Sequence, residues 1–329
     1  MRTGAIPIAL FALFVAAVLT AASLFQFFDS PASKDHRTKI VSVASGQPFS
    51  TVARKLQEEG LVTDAFRLTV LARAEGAARK IQAGEYAFSA SMSPRQILDA
   101  LVSGRVRLLK VTIPEGFTMM DIGRRLEENG ITNADEFLKL AHDPNFVSSL
   151  GIQGETVEGY LYPDTYRFLR NTDPAKVIKT MVGRWRSVFE QFREQVQQSD
   201  MSELQIMTLA SIIEKETALP EEKPLVASVY LNRLKKNMRL YADPTVIYGI
   251  ESFDGNITKN HLRTDTPYNT YLRRGLPPGP IANPDRESIA AVLYPAHTDY
   301  LYFVSRNDGS HEFSSNYGAH RRAVRKYQK

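Results

Sequence analysis

Thr208–Gly249 reads TLASIIEKETALPEEKPLVASVYLNRLKKNMRLYADPTVIYG, a mostly apolar helical run that ends in two glutamates, Glu214 and Glu216. A carboxylic acid held on a packed helix beside a polar Tyr/Asn/Thr set is suited to sugar chemistry, where one acid protonates a glycosidic oxygen. On a helix, residues two apart differ by about 200°. Glu214 and Glu216 therefore cannot act as a close pair. Glu216 shares the apolar stripe of Leu209, Ile212 and Ile213, whereas Glu214 lies at its edge beside Met207 and Ala210. Partial burial would keep either acid protonated, and periodicity alone does not choose between them.

Two later stretches carry residues that bind sugars. ADPTVIYG, read as a loop, supplies Asp243, Thr245 and Tyr248, and TPYNTY supplies Tyr268, Asn269, Thr270 and Tyr271. Tyrosine rings cover pyranose faces, and amides and hydroxyls complement sugar hydroxyls. The same residues also make ordinary turns. The stiff run RGLPPGPIANP, Arg274 to Pro284, could wall a cleft. A two-carboxylate hydrolase needs a second acid about 5–9 Å from the first; Asp243 and Glu158 are the candidates.

Other chemistries lack their residues. There is no cysteine, which excludes disulfides, thiolate metal sites and cysteine nucleophiles. The six histidines show no metal-ligand spacing. Neither a GxSxG elbow nor a phosphate-binding GxxxxGK[ST] loop is present. No metal and no cofactor is expected. A net charge of +5 is too small and too dispersed to imply a nucleic acid partner. The densest basic patch, His320 to Lys329, reads as a fraying tail.

The elements that would position these residues begin with an internal repeat. VSVASGQPFSTVARKLQEEGLVT from Val41 and VTIPEGFTMMDIGRRLEENGITN from Val111 align without gaps, Gly46 on Gly116, Leu56 on Leu126, Gly60 on Gly130. Each copy predicts an alternating strand, a turn glycine, a helix that Ser50 or Thr118 can cap, and a stop at glycine. A helix over 65–75 and a strand over 82–89 would complete the first copy as a small βααβ module, whereas the second copy reads as the start of the larger C-terminal region. A long amphipathic helix is expected over 173–198, as scaffold. Strands mixed with helices of unequal length give an α+β class.

Ala5 to Phe28 is an almost unbroken apolar run. At about 1.5 Å per residue, roughly twenty residues cross a bilayer core. Arg2 before the run and Asp29 after it place the N-terminus in the cytoplasm and the remainder outside. Cleavage after the small residues TAAS would leave Leu24, Phe25, Phe27 and Phe28 at a new terminus, so the run reads as an uncleaved anchor. The expected layout is residues 1–28 as cytoplasmic end and transmembrane anchor, 29–38 as polar linker, 39–105 as the small module and 106–329 as the catalytic domain. Removal of Met1 to Phe28 is expected to give a soluble, active chain.

ASIIEKET, VASVYLNRL, MRLYADPTVIYG, TPYNTY, GLPPGPIANP, LYFV and EGYLYPDTY, in this order save the last, which precedes them, resemble the endolytic murein transglycosylases, the YceG-like family. The likeness covers the whole chain. It implies an N-terminal anchor, a LysM-like βααβ module, and a catalytic domain that cuts the β-1,4 bond between N-acetylmuramic acid and N-acetylglucosamine inside peptidoglycan strands. It also implies that Glu214, the first glutamate of EKET, is catalytic. The expected products carry 1,6-anhydro ends, and cutting nascent strands would terminate their elongation. The implied partners are peptidoglycan strands, peptidoglycan synthases and the inner (cytoplasmic) membrane, with the catalytic domain on the periplasmic side. A hydrolytic muramidase and a non-catalytic wall-binding scaffold are the alternatives.

Overall fold

The computed structural model describes residues 5–251 and 253–328. The chain is α+β, with fifteen α-helices and three two-stranded sheets among the described residues. It divides into two compact units, residues 1–109 and 110–329.

In the first unit a helix spans Ala5–Asp29. Its segment Leu10–Asp29 is long and apolar enough to cross a membrane. Nearly all of that segment is exposed, so it is not a core helix. A strand Thr38–Val43, helices Phe49–Glu58 and Ala65–Ala74 and a strand Gly84–Ser89 follow, the two strands pairing antiparallel with Val41 opposite Tyr86. Strand alternation buries Val41 and Val43. They meet Val52 and Leu56 from the first helix and Leu68 from the next. Ser50 lies inside its helix, which starts after Pro48, so it is not the cap expected of it. Gly60 does end that helix, at φ +69°.

The apolar helix does not hand over to a free linker at residue 28. Phe27 and Phe28 are 8% and 1% exposed and belong to the core of this unit. Arg95 bonds Asp29 at 3.0 Å and lies 4.6 Å over the Phe28 ring. Residues 30–37 are tied down by Ser33 N–H to the Ala90 carbonyl and Ser91 N–H to the Asp35 carbonyl. The sequence cannot separate two phenylalanines at the end of a greasy run from the rest of it; the core that takes them is formed elsewhere in the chain. A chain cut before Asp29 therefore loses two core rings. It is expected to unfold with about 3 kcal/mol less stability or more than one beginning at Gln26, measured by urea denaturation.

The second unit opens with the other repeat copy. Strand Leu109–Thr112, helices Met119–Glu128, Ala134–Ala141 and Pro144–Ser149 and strand Thr165–Phe168 follow in order, and the two strands pair. The second copy thus closes with a strand pair inside the second unit, residues 110–329. Its closing strand was not legible, because four residues between turns give a weak alternation. Thr118 caps its helix in a reciprocal box with Asp121, and Gly130 ends it at φ +67°.

The helix expected over 173–198 is broken. Pro174–Phe189 is α-helical, Glu190–Phe192 is a 3₁₀ turn and Arg193–Gln198 resumes the helix. The tighter turn brings Phe192 into the core beside Phe189. Trp185 packs edge-on to Tyr160 at 4.7 Å and over Phe189 at 5.3 Å. Among the described residues the basic C-terminal segment is helical and not a loose tail. Tyr317–Tyr327 is a helix capped by Asn316, with Ala323 buried near the hairpin Tyr302–Ser305/His311–Ser314.

Candidate active site

Helix Glu203–Glu216 starts at Ser202, boxed with Gln205, and every residue from Ile206 to Ile213 is buried. Apolar contact surrounds this helix until its last turn. There the chain leaves at Thr217, and Glu214 and Glu216 are the first carboxylates to reach polar surroundings. Both stand at the negative end of the helix dipole, which disfavours a second negative charge.

Glu214 is met by two helix N-termini. Helix Arg286–Leu293 is capped by Asp285, which accepts the Ser288 N–H at 2.6 Å. The Asp285 N–H and the Ser288 hydroxyl donate to Glu214 Oε2 at 3.1 and 2.6 Å. Lys223, in the first turn of helix Lys223–Lys235, donates to the same oxygen at 3.1 Å and to Asp285 Oδ2 at 2.7 Å. The side chains of Glu214 and Lys223 are 8% and 4% exposed. Oε2 thus holds three donors, and Oε1 takes none of them.

This arrangement separates the two acids. Burial raises the Glu214 carboxyl above its ordinary range and the Asp285 charge adds to it; the Ser288 hydroxyl and the Lys223 ammonium only partly offset them. Burial pushes Asp285 the same way, but the Lys223 and Ser288 bonds outweigh it and hold Asp285 low. Lys223 keeps its proton, because its two carboxylate partners overcome the burial that would strip it. Burial and the Asp285 charge thus favour the protonated form of Glu214 beside a Lys223–Asp285 ion pair.

Glu214, Lys223 and Asp285 line a cavity of about 420 Å³ with Glu115, Gly116 and Thr217. Gly116 is the turn glycine of the second repeat copy, at φ +70°, and a Cβ there would lie 3.6 Å from Glu214 Cγ. Lys215 Nζ bonds its carbonyl at 3.2 Å. Its counterpart Gly46 meets nothing within 4 Å. The repeated turn has become one wall of the cavity in the second copy alone.

Glu216 lines the same cavity but has a different hydrogen-bond partner. Tyr230 donates its hydroxyl to Glu216 Oε1 at 2.5 Å, and burial pushes this carboxyl up to about 7.

The other sequence candidates divide in two. ADPTVIYG is a short helix, Asp243–Tyr248, with Pro244 in its first turn, and not a loop. Asp243 is exposed at its start and accepts the Tyr271 hydroxyl at 2.5 Å. Thr245, Asn269 and Thr270 are 0–2% exposed and spend their polar atoms inside the protein. The Thr245 and Thr270 hydroxyls meet at 2.8 Å, and Thr270 also accepts the Ala242 N–H. Asn269 donates to the Thr264 carbonyl and accepts the Tyr271 N–H. Thr245 and Thr270 brace the Ala242 backbone and Asn269 that of Tyr271. Tyr248 donates to Glu158 at 3.2 Å and packs edge-on to Tyr268 at 4.8 Å.

Glu158 is 1% exposed and takes bonds from the Met119 N–H, the Asn283 amide and Tyr248. It is a buried brace and not a second acid for the cavity of Glu214. Burial raises it from 4.5 to about 7, although these bonds favour its charge. The folded form therefore binds its proton more tightly than the unfolded form. The resulting stabilisation is complete below pH 4.5 and disappears as pH rises through about 7. Glu158→Gln is expected to flatten the fall in thermal midpoint between pH 5 and pH 8, read by circular dichroism.

Lys223, Asp285, Ser288 and Gly116 were not among the sequence candidates. Lys223 stands in PEEKP, where a lysine reads as solvated. Asp285-x-x-Ser288 is a helix-start pattern that could have been noticed, but nothing in it reveals that the cap faces Glu214.

The chain is similar over this whole framework to known proteins. The YceG-like family profile matches residues 41–326. An endolytic murein transglycosylase of Bacillus subtilis is 31% identical over 314 residues, covering 90% of this chain and 87% of the relative. One from Streptococcus pneumoniae is 26% identical and covers 86% of this chain, which spans 57% of the pneumococcal protein. The crystal structure of a YceG-like protein from Listeria monocytogenes is 31% identical, with a TM-score of 0.61 over 87% of this chain and 99% of that one. A family match across both units, together with this identity, shows that the chain belongs to the YceG-like family.

Proposed function

We propose that this protein cuts peptidoglycan strands internally at the MurNAc-β-1,4-GlcNAc bond, with Glu214 as the single acid–base group and 1,6-anhydroMurNAc ends as products. It is a lytic murein transglycosylase, in line with its curated relatives. The observation that carries the catalytic reading is the occupancy of Glu214. With three donors on Oε2, the proton of the neutral acid belongs on Oε1.

The reaction follows from that proton. Oε1–H protonates the glycosidic oxygen as its bond to C1 of the muramic ring breaks. The carboxylate so formed is stabilised at once by the Lys223 ammonium, the Asp285 N–H and the Ser288 hydroxyl. It then takes the proton from the C6 hydroxyl of the same ring. O6 closes on C1, giving the anhydro ring and restoring neutral Glu214. Intramolecular attack carries a large effective-molarity advantage. The reading opposes hydrolysis because the carboxylate beside Glu214, Asp285, is held by Lys223 and the Ser288 N–H and is poorly placed to activate water.

The remaining partners follow the same reading. The exposed apolar helix would anchor the chain in the inner membrane with the residues after it on the wall side, where nascent strands emerge from peptidoglycan synthases. The first βααβ unit would contribute as a LysM-like glycan module, and exposed Asp243 and Tyr271 would contact sugar. Digestion of isolated sacculi by the full-length chain in detergent, followed by mass spectrometry, tests the proposal. Released fragments should end in anhydro sugars, one water lighter than reducing ends. Reducing ends alone would identify a hydrolase, and sacculus binding without release would identify a scaffold.

A further inference from the structure

The first unit grips its apolar helix by the end, which limits how far a bilayer can reach. Phe27 and Phe28 are taken by the core of this unit and cannot lie in lipid. The membrane boundary therefore falls before Phe27. The stretch left to it, from Ala5 to Gln26, is about 33 Å long at the helical rise and covers a hydrocarbon layer of about 30 Å. Helix Ala65–Ala74 overlaps that stretch. The Arg67 guanidinium comes within 3.5 Å of the hydroxyl of Ser23, which lies about 4.5 Å before Gln26 along the helix axis. We infer that helix Ala65–Ala74 is a second membrane contact, lying in the headgroup layer with Phe66 and Val70 against the acyl chains and Arg67 and Arg73 at the lipid phosphates. The inference rests on the proposed membrane anchor and adds to it a lipid-facing surface on a folded unit.

The residues of this helix suit that place. Its inner face, Leu68 and Ala72, is buried in the core of the unit. On the opposite face helical spacing aligns Phe66, Val70 and Arg73, with Arg67 at the edge. Phe66 is 77% exposed, more than any other large apolar side chain among the described residues, the anchor's own included, and Val70 is 38% exposed. The helix is thus apolar on two sides, and only one of them is used by the protein. Charge points the same way. No acid stands between Ala65 and Ala74. The acids that flank it are paired, Asp64 with Arg67 at 3.2 Å and Glu75 with Arg95 at 3.5 Å. An apolar stripe edged by arginines, with no acid in it, is the pattern of a helix lying in a lipid interface, where the arginine stems lie along apolar surface and the guanidinium heads meet phosphate.

Continuity with the anchor selects lipid as the occupant. A lone exposed phenylalanine is ordinary on a protein surface. Phe66 instead adjoins Arg67, which touches the spanning stretch, so a bilayer that covers this stretch as far as Gln26 also meets Phe66. Two contacts, the anchor and this face, would stop the unit from swivelling about a single helix.

The chain has no cysteine, so single cysteines can be spin-labelled in the full-length protein. In vesicles of phosphatidylcholine and phosphatidylglycerol, collision of the label with oxygen, which concentrates in lipid, is compared with collision with a water-soluble nickel complex. A label on Val70→Cys should favour oxygen, as should one on Leu13→Cys in the anchor. A label on Ser45→Cys, exposed beyond the other end of strand Thr38–Val43, should favour nickel. Adding Phe66→Asp should shift the Val70 ratio toward nickel by about tenfold, because a charge replaces the ring that lipid covers. The thermal midpoint should stay level, since the position is exposed. A Val70 label that matches Ser45, or one that ignores Phe66→Asp, overturns the surface. A Val70 label shielded from both collision partners also overturns it and identifies a protein contact instead. Failure of the anchor is read separately at Leu13. Leu13 in water removes the anchor and the surface with it, whereas Leu13 in lipid with Val70 in water keeps the anchor and removes the surface alone.

Discussion

Replacing Glu214 by Gln is expected to lower release of anhydro-muropeptides from sacculi by about a thousandfold, the middle of the range for losing a positioned acid–base group. Glutamine keeps the shape and can still accept the Lys223, Asp285 and Ser288 bonds on its carbonyl oxygen, so the fold and sacculus binding should survive. It has no proton to give and cannot become the base that the return step requires. Glu216→Gln is the matched control. Its carboxyl accepts the Tyr230 hydroxyl, whereas the Lys223, Asp285 and Ser288 donors meet Glu214. Most of the cutting activity should therefore persist. Product analysis by liquid chromatography and mass spectrometry checks both variants. An inactive Glu216→Gln beside an active Glu214→Gln would reverse the assignment.

Lys223→Met is expected to cost about 3–5 kcal/mol of stability, the usual penalty for removing one partner of a buried ion pair. The ammonium is shared between Glu214 at 3.1 Å and Asp285 at 2.7 Å, and its side chain is 4% exposed. Without it, Asp285 is left negative and underpaired beside Glu214. The Glu214 carboxyl should then move higher still, because an attraction to its charged form is gone while the Asp285 charge remains. The cutting rate needs Glu214 protonated at the outset, so the alkaline limb of its pH profile should shift upward. The rate at its optimum should fall, since the carboxylate that forms on proton donation has lost its counter-charge. Adding Asp285→Asn removes the stranded anion and should restore much of the lost stability. Urea denaturation of the wild type, the single variant and the double variant checks this. A double variant no more stable than Lys223→Met would show that the charge pairing is not what the lysine supplies.

Both predictions depend on a cluster that the sequence only half discloses. EKET at the end of an apolar run identifies two acids and shows, from helical geometry, that they diverge. Resemblance then favours Glu214. The run Ala5–Phe28, the duplicated strand–turn–helix copies and the glycine stops were also legible, because each depends on residues close together in the chain. Local patterning carries less in the Tyr/Asn/Thr-rich stretches. Thr245, Asn269 and Thr270 have the right chemistry for sugar, but their donors and acceptors are consumed by neighbouring backbone.

What the sequence determined by itself is therefore the periodic part: the apolar helix, the α+β elements, the repeat, and a glutamate emerging from a buried helix. Tertiary structure alone decided which groups meet Glu214. Lys223 lies nine residues downstream and Asp285 and Ser288 more than seventy, each with its own local explanation as a solvated charge or a helix start. Tertiary structure also decided that Gly116 walls the cavity while Gly46 stays open, and that Phe27 and Phe28 leave the apolar run for the core. The reason is physical. Periodicity records which face of an element is dry, whereas the proton affinity of an acid depends on burial and on charges a few ångströms away, and folding alone brings those together.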